Sequence, residues 1–279
     1  MTGFSHRLAR QWIAGETIAD GIERTREANT RGFLGLLNLL GEHAREKEHI
    51  DSTVKEYAKL LEQISESKVN SQISIKPTQF GMSLDDDLCI TNYVSVAETC
   101  HSFDNWLWID MEDSAFTEKT IALYKNVLSN YPNTGIAIQS CLRRSSSDVK
   151  ELTGLGAKIR LVKGAYNESP EIAFRQKRLV SENYSKIMRM LFEGGNFFAV
   201  ATHDGRLISE AKTLSKEFNS SFEFEMLLGV RDKLKTELVS DGYPVREYIP
   251  YGPQWFPYSM RRLREKKSNI LLLARSLFS

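Results

Sequence analysis

The sequence holds only three cysteines, Cys89, Cys100 and Cys141, and no two are spaced as Cys-x-x-Cys. An odd count without that spacing argues against a disulfide framework and fits a reducing compartment. Seven prolines and seventeen glycines in 279 residues exclude a collagen-like repeat and leave no long flexible linker. The strongly apolar stretches, such as Gly32–Gly41, fall well short of the ~18 residues that cross a bilayer. No basic segment followed by an apolar one opens the sequence, so a cytoplasmic rather than a secreted protein is expected. A dominant charge sign is also missing: 37 basic side chains meet 36 acidic ones, for a net +1. Such a chain has no general attraction for nucleic acid or an anionic surface.

What is present is a large core-forming fraction, 41% hydrophobic with 26% charged, which excludes a disordered chain. The length suits two medium domains or one α/β barrel. Eight short β-rich runs decide between them: Phe33–Leu39, Gln72–Lys76, Trp106–Asp110, Thr134–Gln139, Lys158–Val162, Phe197–Thr202, Ser221–Leu227 and Val245–Ile249. Phe33–Leu40 reads equally as a buried helix. Between the runs, apolar residues recur at helical spacing in Ile50–Glu66, Ala115–Tyr131, Glu171–Phe192 and Leu207–Phe218. Breakers mark the joins, as in Glu193-Gly194-Gly195-Asn196 and Asp241-Gly242-Tyr243-Pro244. Eight alternating units predict an α/β fold, a (βα)8 TIM-like barrel, with residues 1–30 as an N-terminal helical extension of one 1–279 domain.

Active sites in this fold lie at the C-terminal strand ends. Lys76 closes the second run beside Pro77, a poor choice for a surface turn. The third ends Ile109-Asp110-Met111-Glu112-Asp113. No histidine accompanies these carboxylates, so a metal site is not expected. Glu112 and Asp113 read as charges stabilising a helix N-terminus, and Asp110 as the functional residue. Gln139 ends the fourth run and can both donate and accept, which suits the edge of a heterocyclic ring. In the fifth, Arg160 and Lys163 flank an approach to Gly164, where backbone can come close to an anionic or electron-rich ligand. The sixth ends Thr202-His203-Asp204. Glu223 and Glu225 share one face of the seventh; inside a barrel they need partners such as Arg160.

Residues 231–279 hold ten basic and five acidic side chains. Within them Pro257 suits a helix start, and Tyr258, Arg261, Arg262 and Glu265 fall in one stripe about 100° wide. That stripe reads as a solvated face or as an anion site, since paired guanidinium forks match a carboxylate or phosphate bidentately. One helix on a near-neutral chain is thin support for nucleic-acid binding.

In this order, Ile73-Ser74-Ile75-Lys76-Pro77-Thr78, Ile109-Asp110-Met111-Glu112-Asp113-Ser114, Arg160-Leu161-Val162-Lys163-Gly164-Ala165-Tyr166, Ala201-Thr202-His203-Asp204 and Tyr258-x-x-Arg261-Arg262-x-x-Glu265 resemble the motifs of the monofunctional proline dehydrogenases. The resemblance covers about residues 15–270. It implies an FAD-dependent (βα)8 enzyme that oxidises L-proline to Δ1-pyrroline-5-carboxylate and passes electrons to a membrane quinone, with its last helix over the barrel mouth. It implies Asp110 and Arg160 as catalytic residues. Lys76, Tyr258, Arg261 and Arg262 would bind substrate, the two arginines clamping its carboxylate, with Glu265 holding an arginine. Met111, Gln139, Lys163, Gly164, Ala165, Thr202 and His203 match flavin-contacting positions. The implied partners are proline, a quinone, the inner face of a membrane in peripheral contact, and a separate pyrroline-5-carboxylate dehydrogenase, since no aldehyde dehydrogenase module is seen.

The chain departs from that pattern at Glu225 and Leu228, where the family often carries Gln and Tyr, and at Pro77, where a small or apolar residue is more familiar. Two other readings stay open: a lyase using Lys76 or Lys163 as a Schiff base, and a non-catalytic ligand-binding barrel.

Overall fold

The computed structural model describes residues 11–260 and 262. Eight parallel strands close into a barrel in chain order: β1 (Leu34–Leu39), β2 (Ser71–Ile75), β3 (Leu107–Ile109), β4 (Thr134–Gln139), β5 (Lys158–Val162), β6 (Phe198–Ala201), β7 (Phe222–Leu227) and β8 (Val245–Tyr251). All eight predicted runs are strands, and Phe33–Leu40 is not a helix. Helices α1 (Ile18–Thr30), α2 (Lys47–Ser67), α3 (Asp86–Ser102), α4 (Ser114–Leu128), α5 (Ser145–Gly154), α6 (Lys177–Gly194), α7 (Gly205–Glu217) and α8 (Asp232–Ser240) flank them.

Period-two alternation divides each strand between two cores. Ile73 and Ile75, Ile136 and Ile138, Ile159 and Leu161, and Phe222 and Phe224 join the main cluster under the helices. The opposite faces fill the barrel with Leu36, Trp108 and Ala199 and with charged side chains. Gly135 makes room for Trp108: a Cβ there would strike the indole ring. The ring's Nε1 donates to Gln72 Oε1 at 2.6 Å.

Of the predicted 1–30 extension, residues 11–30 belong to the barrel wall, and residues 1–10 lie outside the described residues. Thr17 and Asp20 form a capping box at the start of α1. Ile18, Gly21, Ile22, Thr25 and Ala28 are its buried side, and Gly21 lies against Leu37 of β1 and Tyr251 of β8. Just before it, Ala14 N–H donates to Pro250 O at 2.8 Å, and Gly15 O accepts from Gly252 N–H at 2.9 Å. The long predicted helix Glu171–Phe192 begins only at Lys177. The preceding stretch instead pairs with the loop after β4, through an antiparallel bridge between Leu142 and Ala173.

Candidate active site

Five strands, β2, β3, β5, β7 and β8, deliver one charged cluster to the upper, C-terminal end of the barrel. Asp110 follows directly after β3, which stops one residue earlier than predicted. Its Oδ1 accepts from Ser74 Oγ at 2.6 Å and from Arg160 Nη1 at 2.8 Å. Its Oδ2 accepts from Tyr248 OH at 2.9 Å and from Lys76 Nζ at 3.2 Å. Pro77 opens a short 3₁₀ turn, Pro77–Phe80, and Lys76 before it is extended, the conformation a following proline imposes. Arg160 lies with its guanidinium 4.6 Å from the Trp108 ring centre and is 3% exposed. Its Nε pairs with Glu225 Oε2 at 2.6 Å.

Electrostatics separates the members. Burial works against the Asp110 carboxylate, but Lys76, Arg160 and the Ser74 and Tyr248 hydroxyls outweigh it and hold its pKa below the ordinary range. Burial also works against the Lys76 ammonium, yet Asp110 raises its pKa above the usual lysine value. A Schiff-base lysine needs a neutral amine, so Lys76 is a poor one. Glu225 is shifted the other way from Asp110: burial raises it, and Arg160 offsets this only in part.

Beside this cluster a cavity of about 830 Å3 is lined by Lys163, Gly164, Arg175, Lys177, Thr202 and His203, among others. Lys163 Nζ donates to Asp204 Oδ2 at 2.7 Å and Ser181 Oγ at 2.9 Å. Gly164 has φ 102°, and a Cβ there would collide with the Cys141 sulfur. Ala165 is exposed on the same turn. Thr202 Oγ1 accepts from Asp204 N–H at 3.2 Å. His203 Nε2 accepts from Leu227 N–H at 3.0 Å. Burial, then the charges of Arg262, Lys235 and Arg231, push this histidine down to about 4, so it is neutral at pH 7. Gln139 is buried and donates through Nε2 to Glu112 O at 2.8 Å. Met111 is buried next to Asp110. Bare backbone at Gly164, several cations and neutral donors suit a large ligand with a planar ring and phosphates.

Glu112 departs from the sequence reading. It is no helix-end charge: its carboxylate is buried and accepts from Thr78 N–H at 2.9 Å and Thr78 Oγ1 at 2.6 Å. Asp113 does cap a helix, accepting from Ala115 N–H at the start of α4. Helical residues resume at 255–260. Tyr258 packs with Trp12, Ile13 and Leu40, and the Arg262 guanidinium lies 5.5 Å from its ring centre. Arg261 and Glu265 lie outside the described residues.

Lys76, Asp110 and Arg160, picked one by one from three separate strands, therefore meet. Ser74 and Tyr248 were missed. Tyr248 stands two residues after Arg246 on the inward face of β8, and that alternation was the available signal. Among the described residues, no group of three or more His, Cys, Asp and Glu could hold a metal ion.

The Proline dehydrogenase family model matches residues 21–274. Proline dehydrogenase 1 and Proline dehydrogenase 2 of Bacillus subtilis are 34% and 36% identical to the chain, each over 96% of it and 90% and 93% of their own lengths. Proline dehydrogenase of Deinococcus radiodurans is 31% identical over 97% of the chain and 90% of its own. Among solved structures, proline utilization A from Bdellovibrio bacteriovorus, inactivated by N-propargylglycine, superposes with a TM-score of 0.87 at 22% identity. The match covers 92% of this chain and 32% of that one, so this chain spans about a third of that protein.

Proposed function

The chain belongs to the proline dehydrogenase family, and from that premise we propose that it oxidises L-proline to Δ1-pyrroline-5-carboxylate with FAD as cofactor. The observation that carries the reading is the convergence of Lys76, Asp110, Arg160 and Tyr248 at the barrel mouth, beside a cavity lined by Lys163, Gly164, Thr202 and His203. The fit to FAD rests on the bare Gly164 backbone and on the cations Lys163, Arg175 and Lys177 in that cavity. In this reading Met111, Gln139, Lys163, Gly164, Ala165, Thr202 and His203 hold the cofactor, which when bound accepts a hydride from proline.

The chain's own residues then bind and orient. Lys76, Arg261 and Arg262 take the proline carboxylate, and Tyr258 packs over the ring, crowding out a 4-hydroxyl group. Asp110 holds Lys76, Arg160 and Tyr248 in fixed directions, so the substrate meets donors that are already aligned. Arg160 and Lys163 supply positive field where negative charge develops. Oxidation requires the unprotonated proline nitrogen, which makes the step faster as pH rises.

The reading takes residues 1–279 as one domain, with residues 1–30 as its extension. Electrons pass to a quinone, in peripheral contact with the inner face of a membrane, and a separate pyrroline-5-carboxylate dehydrogenase consumes the product. Among the described residues, no helix is long and apolar enough to cross a membrane. The test is direct: the purified protein is yellow, and L-proline bleaches it without oxygen. Colourless protein trapped by borohydride with a carbonyl substrate would favour the lyase. Colourless protein that binds proline without turnover would favour a binding barrel.

A further inference from the structure

Arg160 is shared by two carboxylates of unequal support. Asp110 collects Ser74, Lys76, Arg160 and Tyr248. Glu225 makes one ion pair, Oε2 to Arg160 Nε at 2.6 Å. Its other oxygen, Oε1, is buried and has no hydrogen-bond partner among the described residues, as is also true of Arg160 Nη2; Arg160 Nε meets Oε2 as an ion pair without hydrogen-bond alignment. The side chain is 3% exposed. The charged and titratable groups around it are Arg160 from β5, Asp110 after β3, Glu223 from its own strand, Arg246 from β8 and Tyr184 from α6.

With Glu225 ionised, Lys76 and Arg160 balance Asp110 and Glu225, and the upper cluster is neutral. An additional negative charge at the mouth disturbs that balance in a medium that screens poorly. The least costly correction is to protonate one carboxylate. Asp110 is held ionised by four donors, whereas Glu225 has one partner and an open oxygen. Burial already favours its neutral form. Two carboxylates with environments that push them apart take different roles.

We propose that Glu225 is a positioning residue for Arg160 that takes up a proton from solvent when negative charge arrives at the barrel mouth. The proton forms an O–H bond on Oε1, and no electron moves on the side chain. Glu225 then faces Nε as a neutral acid rather than as a counter-ion, and the guanidinium charge is left to Asp110 and the mouth. The proposal rests on the reading of the site as a flavin-dependent one.

The experiment compares FAD-loaded wild-type protein with Glu225→Gln. Each is reduced anaerobically with dithionite in weakly buffered solution across the neutral range, and protons taken up per flavin are counted with an indicator dye after subtracting the protons that dithionite oxidation itself releases. The wild type takes up more protons per flavin than the variant. The flavin potential of the variant is shifted positive at alkaline pH and meets the wild-type value at acid pH. Equal proton counts, or potential curves that run parallel, overturn the proposal while leaving the flavin reading intact. A wild-type protein that binds no flavin overturns both. If the variant does not fold, the reduced-minus-oxidised infrared spectrum of the wild type decides. A protonated-carboxyl band gained on reduction supports the proposal, and its absence overturns it.

Discussion

The two ends of the barrel interior treat an arginine differently. At the lower end, Arg246 and Glu223 satisfy each other in two parallel contacts, Nε to Oε1 at 2.6 Å and Nη2 to Oε2 at 3.0 Å. The remaining arm donates to Gly35 O at 2.8 Å. At the upper end, Arg160 is divided between Asp110 and Glu225, and its Nε and Nη2 make no hydrogen bond among the described residues. A closed pair of the first kind holds strands together and has nothing left to offer. A divided one keeps a donor in reserve, which costs stability unless something binds there. On the proposed reading the lower pair serves the fold and the upper cluster the chemistry.

The largest effect is expected at Asp110. Asp110→Ala removes the acceptor of four donors, and kcat/KM for proline falls by about 10²–10³-fold. Steady-state kinetics on flavin-loaded variant checks this; a loss under tenfold would dissolve the distinction between the two ends. The matching change below is Arg246→Met, which strands Glu223 in the interior. Urea unfolding should show a loss of about 3–5 kcal/mol, with activity per folded, flavin-loaded molecule kept.

His203 sharpens the comparison through pH. Its pKa is about 4 in the fold against roughly 6.5 when unfolded. Between those values the unfolded chain binds a proton that the folded one does not, so stability is lost as pH falls through this window. Acidifying from pH 7 to 5 removes about 2 kcal/mol by this route. His203→Asn lacks that component, so its Tm declines less over the same interval; equal declines would place the histidine charge elsewhere. The smallest effect is at the rim. Arg262→Met removes one charge-assisted contact, and KM for proline rises about tenfold with kcat nearly unchanged. An unchanged KM would remove Arg262 from the carboxylate clamp.

The barrel was legible because its strands are short and β-rich and the helices between them are amphipathic. The limits of β4 and β5 match the prediction and the others were off by a residue or two; Asp110, for example, lies just outside β3 rather than at its last position. Helix α3 was not singled out, since its Thr91, Asn92, Ser95 and Glu98 interrupt the apolar pattern. Lys76 and Asp110 were readable as polar residues closing apolar runs, and Arg160 as a charged residue inside one. Tyr248 was not, because a tyrosine inside a strand looks like packing until the inward face of β8 is followed from Arg246. Glu112 was misread because a carboxylate before a helix usually serves that helix, whereas here Thr78 offers it two donors from the neighbouring turn. The pairing of Glu225 with Arg160 was named as a requirement of an inward-facing glutamate, and the barrel's interior supplies it.

The account stands most directly on anaerobic single-turnover reduction of the bound flavin by L-proline, followed by the loss of its visible absorbance across pH. A reduction rate that climbs toward alkaline pH, as the proline nitrogen loses its proton, is the expected result. A rate independent of pH, or no bleaching by proline at any pH, would contradict it.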